Sequence, residues 1–185
     1  SYTETDSYFS EVCRQILDFK DSIGVSDEQI LGVGFAVQGL VSPDHQSIVY
    51  GKILADTGLS ITAFTRYLPY PCSFFHDADS AAISELWISP ELKDAFYLSL
   101  SKHLGASIII YRKLLDGKHG HSSIIEHIQI EPDGELCYCG NRGCLETFCS
   151  INALLKEKES LDGFFEKLYS NDTSVSARWK QYLSL

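Results

Sequence analysis

Apolar side chains at Phe9, Val12, Ile16, Leu17 and Phe19 recur near helical spacing, so Tyr8 to Phe19 reads as an amphipathic helix. The pattern then changes. Ile30 to Val41 is rich in Val, Phe and Gly and reads as a strand ending in a turn at Gly39. Ser42-Pro43-Asp44 supplies turn chemistry, and Ser47 to Leu54 reads as the returning hairpin strand. Ile61 to Leu68 predicts a short helix broken by Pro71, Cys72 to Phe75 a buried strand, and Asp79 to Trp87 a helix stopped near Pro90. Two β-rich runs, Ala95 to Ser101 and Ala106 to Tyr111, flank Gly105 as a second hairpin, and Ile124 to Ile130 reads as a further strand. From Glu146 onward the pattern is helical, in pieces near Ser150 to Lys158, Leu161 to Tyr169 and Val175 to Leu183. Strands mixed with helices, and hairpins at two places, indicate an α/β protein with mixed sheets rather than a doubly wound parallel one. Ser89 to Lys93, with Pro90 and charges after a helix, is the expected boundary between lobes 1–91 and 92–185.

Composition narrows this. Of the 185 residues, 44% are hydrophobic, enough for one large or two small domains. Fifteen basic against twenty-five acidic residues give a net charge of −10, which argues against a general nucleic-acid surface. No apolar run approaches a membrane span, and there is no internal repeat or low-complexity tract. The opening residues lack a signal-peptide pattern, so a cytoplasmic location is expected. With no Met anywhere, residue 1 included, the chain is expected to be an excised or processed piece.

The densest chemistry lies at His127 and Cys137-Tyr138-Cys139-Gly140-Asn141-Arg142-Gly143-Cys144-Leu145-Glu146. His127, Cys137, Cys139 and Cys144 form a complete soft-ligand set for tetrahedral zinc, and four protein ligands leave no open position for water, which favours a structural site. Gly140 and Gly143 would supply the φ > 0 turns that wrap a short loop around an ion. Core packing or redox chemistry are the alternatives for these thiols; Cys137 and Cys139 are poorly placed to pair with each other. Cys13, Cys72 and Cys149 sit in apolar surroundings and read as reduced core residues.

Other constellations are weaker. Phe74-Phe75-His76-Asp77-Ala78-Asp79 delivers polar groups at the carboxyl end of a strand, where open α/β folds bind ligands. Asp77 could act there as a general base, or Asp79 could cap the next helix while Asp77 completes a turn. Gly34 to Gly39 is either a plain hairpin or a backbone segment approaching a ligand. Ser101 to Ser107 has the single Gly105 where a phosphate cradle would want several; Lys102 and His103 could still meet an anion there, but a solvated hairpin is expected. Asp56-Thr57-Gly58 has the look of a phosphate loop without its hairpin. Gly117 to His121 offers histidines for a second metal, though a glycine-rich surface loop is the plainer expectation.

In order and spacing these segments resemble the ROK family (repressors, open reading frames and sugar kinases). Leu31 to Gly39 looks like its first-lobe strand ending in Pro-Gly, and His76-Asp77-Ala78-Asp79 like its Asn-Asp-Ala-Asn segment. Ser101 to Ser107 falls on its Gly-Thr-Gly-rich phosphate loop, and Ile124-Ile125-Glu126-His127 on its Glu-Ile-Gly-His segment. Cys137 to Glu146 matches its Cys-x-Cys-Gly-x-x-Gly-Cys-Leu-Glu loop without a gap, which is highly specific. The resemblance implies an actin-like, hexokinase-type (ribonuclease H-like) fold of two lobes, here truncated at both ends. It implies a sugar or sugar phosphate held by Gly39, His76, Asp77, His127 and Glu146, with Asp77 as the general base in family kinases. It implies structural zinc and, in the full-length protein, a homo-oligomer.

The sequence departs from the pattern at several places. His76 replaces the Asn, Gln38 the Pro, and Ile124 a hydrogen-bonding Glu; losing one polar partner erodes selectivity for hydroxyls. The phosphate loop keeps only Gly105, so ATP binding is not expected. Three functions compete: the sugar-responsive effector part of a ROK transcriptional repressor, touching DNA only through an upstream domain outside this chain; an ATP-dependent sugar kinase using Asp77; and an interaction domain that binds no sugar. The first is favoured, because a regulator loses nothing with the ATP-loop glycines.

Overall fold

The computed structural model describes residues 5–115, 117–118, 124–156 and 158–184. The chain divides into two compact units, Ser1–Glu85 with Asp116–His121, and Leu86–Leu115 with Ser122–Leu185.

In the first unit, helix α1 (Asp6–Ser22) opens on Thr5, whose side chain accepts from the Tyr8 N–H, and buries Phe9 and Cys13. Strand β1 (Val33–Val37) pairs in parallel with β4 (Cys72–His76), from Val33 opposite Cys72 to Val37 opposite His76. The single strand expected from Ile30 to Val41 is therefore broken. β1 stops before Gln38-Gly39, and β2 (Leu40–Val41) joins a separate antiparallel pair with β3 (Ile48–Tyr50). Gly39 permits this: a Cβ there would lie 2.7 Å from the Tyr50 carbonyl oxygen. The returning strand ends at Tyr50 because the chain folds back, with Thr57 Oγ1 accepting from the Gly51 N–H at 2.8 Å and donating to its carbonyl at 3.1 Å. Asp56-Thr57-Gly58 thus serves packing, with Asp56 buried. Helix α2 (Thr62–Thr65) is shorter than the expected 61–68. It carries Phe64 into an aromatic core with Phe9, Phe35 and the fully buried Phe74. Helix α3 (Asp77–Ile88) starts directly at the end of β4, two residues earlier than the pattern suggested.

In the second unit, β5 (Ala95–Leu100) and β6 (Leu104–Ile110) pair antiparallel, and β7 (Lys113–Leu114) extends the sheet. Tyr111 and Arg112, at φ 50° and 62°, make the turn into β7. The Arg112 guanidinium donates to the carbonyls of Leu86, Ser89, Pro90 and Leu92. Gly105 does not lie in the loop between strands. It sits inside β6, buried, opposite Ser99. Nor is Ile124 to Ile130 a strand. Among the described residues it forms a turn and one isolated bridge, Gln129 with Cys144, since its backbone partners come from the cysteine loop: the Leu145 N–H donates to Ile128 O and the Glu131 N–H to Gly143 O.

Four helices follow: α4 (Glu146–Cys149), α5 (Ile151–Leu154), α6 (Leu161–Tyr169) and α7 (Thr173–Tyr182). Ser150, Ser160 and Asp172 cap the last three through their side chains. The helix expected over 150–158 ends at Leu154, because Leu155 is extended. Leu154, Phe164 and Val175 form the core of this bundle.

Candidate metal centre and ligand site

The cysteine loop is built by two glycines. Gly140 and Gly143 adopt φ 97° and 63°, the left-handed turns expected of them. At Gly143 there is also no room: an added Cβ would lie 1.5 Å from the Glu131 carbonyl oxygen. The Cys137 N–H donates to Asn141 O at 2.8 Å and the Gly140 N–H to Cys137 O at 2.9 Å, closing the loop on itself. One ligand atom from each of His127, Cys137, Cys139 and Cys144 falls within a cluster 4.8 Å across.

The spacing inside the cluster tests the fit to a metal. His127 Nδ1 lies 3.6 Å from Cys137 Sγ, and Cys139 Sγ lies 3.7 Å from Cys144 Sγ. Zinc bonds of about 2.3 Å to sulfur and about 2.0 Å to nitrogen, at tetrahedral angles, give N···S and S···S edges of about 3.5 and about 3.8 Å. The donor set and these two edges fit a tetrahedral ion. They do not fit a disulfide, whose sulfurs sit about 2.05 Å apart, and all six cysteines are free thiols. Burial pushes the Cys137 thiol up and the Cys144 thiol to about 12, and holds the His127 imidazole below its ordinary value against the opposing pull of Glu146. Burial thus favours the protonated form of the Cys137 and Cys144 thiols, and a bound cation would have to displace those protons.

Beside the cluster, Glu146 is buried at the start of α4. Its Oε1 lies 2.8 Å from His103 Nδ1, and its Oε2 accepts from the Leu104 N–H at 2.7 Å. The hairpin expected at Ser101 to Ser107 is present, with Ser101 and Lys102 exposed in its turn, but His103 turns inward to meet the carboxylate. Tyr138 meets both imidazoles edge-on, at 5.2 Å from His103 and 5.0 Å from His127. Burial first, then the carboxylates of Glu146 and Glu126, drives the Tyr138 phenol far above its ordinary range, so it stays protonated. Sequence reasoning gave no role to Tyr138 or to the Leu104 N–H. The only available signal for His103 was an imidazole in a turn between two apolar strands.

In the first unit, parallel pairing brings the carboxyl ends of β1 and β4 to one edge, with Val37 opposite His76 and Asp77 following directly; Gly39, beyond the end of β1, packs against Tyr50 and Ile48. His76 Nε2 is 3.4 Å from Asp77 Oδ1, and its Nδ1 is 3.7 Å from Asp79 Oδ2. Asp77 Oδ1 also accepts from the Ala78 N–H at 2.8 Å, and both acids occupy the first turn of α3, where the helix dipole favours negative charge. Since α3 begins at Asp77, Asp79 stands inside its first turn rather than at its cap. Of the histidine-rich segment 117–121, His119, Gly120 and His121 lie outside the described residues. Among the described residues no helix is long and apolar enough to cross a membrane.

Comparison with known proteins yields a consistent group. The ROK family model matches residues 2–181. The DNA-binding transcriptional dual regulator NagC of Escherichia coli is 32% identical over 146 residues, covering 77% of this chain and 36% of NagC. The N-acetylmannosamine kinase of Vibrio vulnificus is 31% identical over 144 residues, covering 75% of this chain and 48% of the kinase. A ROK glucokinase from Streptomyces griseus, solved with glucose and AMPPNP, superimposes with a TM-score of 0.75 at 22% identity, over 93% of this chain and 64% of that one. The fold is accordingly of the actin-like, hexokinase type. The chain spans between a third and a half of the length of these two curated relatives.

Proposed function

Because this chain belongs to the ROK family, we propose that it is the sugar-responsive effector part of a transcriptional regulator, with zinc as a structural ion. DNA contact falls to a part of the protein outside these residues. The observation that carries this reading is the state of the segment on the family's phosphate loop. Gly105 is buried in β6, the turn of residues 101–103 has no glycine, and His103 is engaged by Glu146. Backbone N–H groups that cradle phosphates need glycines for close approach, whereas a sensor needs only the sugar-facing groups. The similarity to NagC supports the same choice.

In this reading His127, Cys137, Cys139 and Cys144 hold the ion. Bound zinc supplies a cross-link that fixes the loop and, with four protein ligands, leaves no position for catalytic water. Within the second unit, His127 and Glu146 are the sugar-facing groups; within the first, Gly39, His76 and Asp77 are. Asp77 accepts a hydrogen bond from a hydroxyl and moves no proton. The kinase reading rests on a separate observation, the 31% identity to N-acetylmannosamine kinase; in it Asp77 takes the hydroxyl proton as general base. Calorimetry of the metal-loaded protein with glucose, xylose, N-acetylglucosamine and N-acetylmannosamine, alongside a phosphorylation assay with ATP, decides between them. Sugar binding without phosphate transfer is expected. ATP-dependent phosphorylation abolished by Asp77→Asn would replace the regulator reading by the kinase.

A further inference from the structure

The two halves of the cysteine loop differ in how tightly they are held. Gly143 and Cys144 are packed. A Cβ on Gly143 would lie 1.5 Å from the Glu131 carbonyl oxygen, and Cys144 is fully buried. The Cys144 carbonyl also accepts from the Thr147 N–H at 2.9 Å and from its hydroxyl at 2.8 Å. Cys139 and Gly140 stand open. Cys139 is half-buried, residues 140–142 are exposed, and a Cβ on Gly140 would meet nothing within 4 Å. Cys137 is buried, so Cys139 is the thiol of this cluster that a small solute reaches. Behind it, Cys144 Sγ lies 3.7 Å away. A disulfide of about 2.05 Å asks these sulfurs to close by about 1.7 Å, a movement that rotation of the Cys139 side chain supplies. Cys137 faces His127 instead, its Sγ 3.6 Å from Nδ1.

We propose that Cys139 is a site of oxidation by hydrogen peroxide, that Cys144 resolves it as a disulfide, and that the loop then gives up its ion. This rests on the zinc reading and adds a second state to it. An accessible thiol beside a second cysteine passes through a sulfenic acid to a disulfide. Counted from the two thiols, the peroxide O–O bond breaks as Cys139 Sγ gains a hydroxyl, and the other oxygen leaves as water with the thiol proton. Cys144 Sγ then bonds Cys139 Sγ, the S–O bond breaks, and the hydroxyl leaves with the Cys144 proton as a second water. Each sulfur loses one electron and each peroxide oxygen gains one. In the metal-loaded loop two protons from solvent replace those of the thiols, and the cation departs. His127 and Cys137 remain, short of the four ligands of a structural site. The loop is thus cross-linked by an ion when reduced and by an S–S bond when oxidised.

The test uses the intact, zinc-loaded protein. It is treated with hydrogen peroxide while a chromophoric chelator reports free zinc, then alkylated, digested and mapped by mass spectrometry. Release of one zinc per chain is expected, with a Cys139–Cys144 disulfide and with Cys137 still reduced. Dithiothreitol with added zinc should restore the metal. Cys149→Ser removes the other half-buried thiol and should release zinc within twofold of the unmodified rate. A disulfide through Cys137 or Cys149 overturns the proposal. So does a sulfinic acid at Cys139 with Cys144 reduced, zinc retained in excess peroxide, or release from Cys149→Ser slowed more than twofold. Those results leave the zinc reading intact. Freshly purified, reduced protein without zinc removes that reading, and this inference with it.

Discussion

The aromatic core of the first unit and the cysteine loop of the second solve the same problem by different means. In the core, Phe9, Phe35, Phe64 and Phe74 bring large apolar surfaces together from a helix, two paired strands and a second helix. Regular elements satisfy the backbone, and burial of the rings holds the elements. Between His127 and Glu146 the described backbone has only isolated bridges, such as Leu136 with Arg142. Its buried side chains include Cys137 and Cys144, too small to hold a loop by apolar burial. Four ligand atoms that face one another do the work of a core only when an ion joins them. One region is held by area; the other gathers four groups suited to a metal.

The largest effect should therefore come from the ion. Zinc binding in comparable small sites contributes on the order of 10 kcal/mol to local folding. Chelation, or Cys144→Ser, is expected to open amide exchange across residues 127–146 while the amides of β1 and β4 keep their protection. The check is exchange followed by mass spectrometry, with zinc counted by metal analysis. Uniform loosening of both units would erase the contrast, and freshly purified protein without zinc would refute the metal assignment.

The reciprocal change is smaller. Phe74 is fully buried, and truncating such a ring leaves a cavity worth about 3–5 kcal/mol. Phe74→Ala should lower the denaturant midpoint and release the protection of β1 and β4, yet leave one zinc bound per chain. Loss of the metal in this variant would mean that the two regions do not stand independently.

The same contrast governs what could be read in the sequence. Helix α1 and strand β4 were legible because their apolar positions repeat with the period of the element, and burial follows from that repeat. The clustering of His127, Cys137, Cys139 and Cys144 was legible because thiol spacing and two glycines describe a loop without reference to anything distant. What failed depends on partners far along the chain. Gly105 reads as a loop residue until Ser99 takes it into β6. Ile124 to Ile130 reads as a strand until its hydrogen bonds are found to go to the cysteine loop. His103 reads as a solvated side chain until Glu146, 43 residues later, is seen to hold it. In the first unit, the break at Gln38-Gly39 comes from the close approach of Tyr50. Periodicity and local spacing carry no information about such pairings.

The smallest effect should come from charges that neither region needs. On exposed α1, Arg14 bonds Glu11 through two nitrogens, at 2.9 and 2.6 Å, and reaches Asp18 as well. This partner holds the Glu11 carboxyl down at about 2, from an ordinary value of 4.5. A depressed carboxyl contributes stability that is present above its unfolded value and is lost as pH falls from about 4.5 toward 2. Yet the pair lies in water, where screening and side-chain entropy leave such contacts little net worth. Arg14→Ala should accordingly shift the melting temperature at pH 7 by no more than the scatter of repeat measurements, and the already small difference from the unmodified chain should vanish by pH 2. A shift approaching that of Phe74→Ala would mean that α1 is held to the first unit by charge rather than by Phe9 and Cys13. The aromatic core would then no longer be the counterpart of the metal.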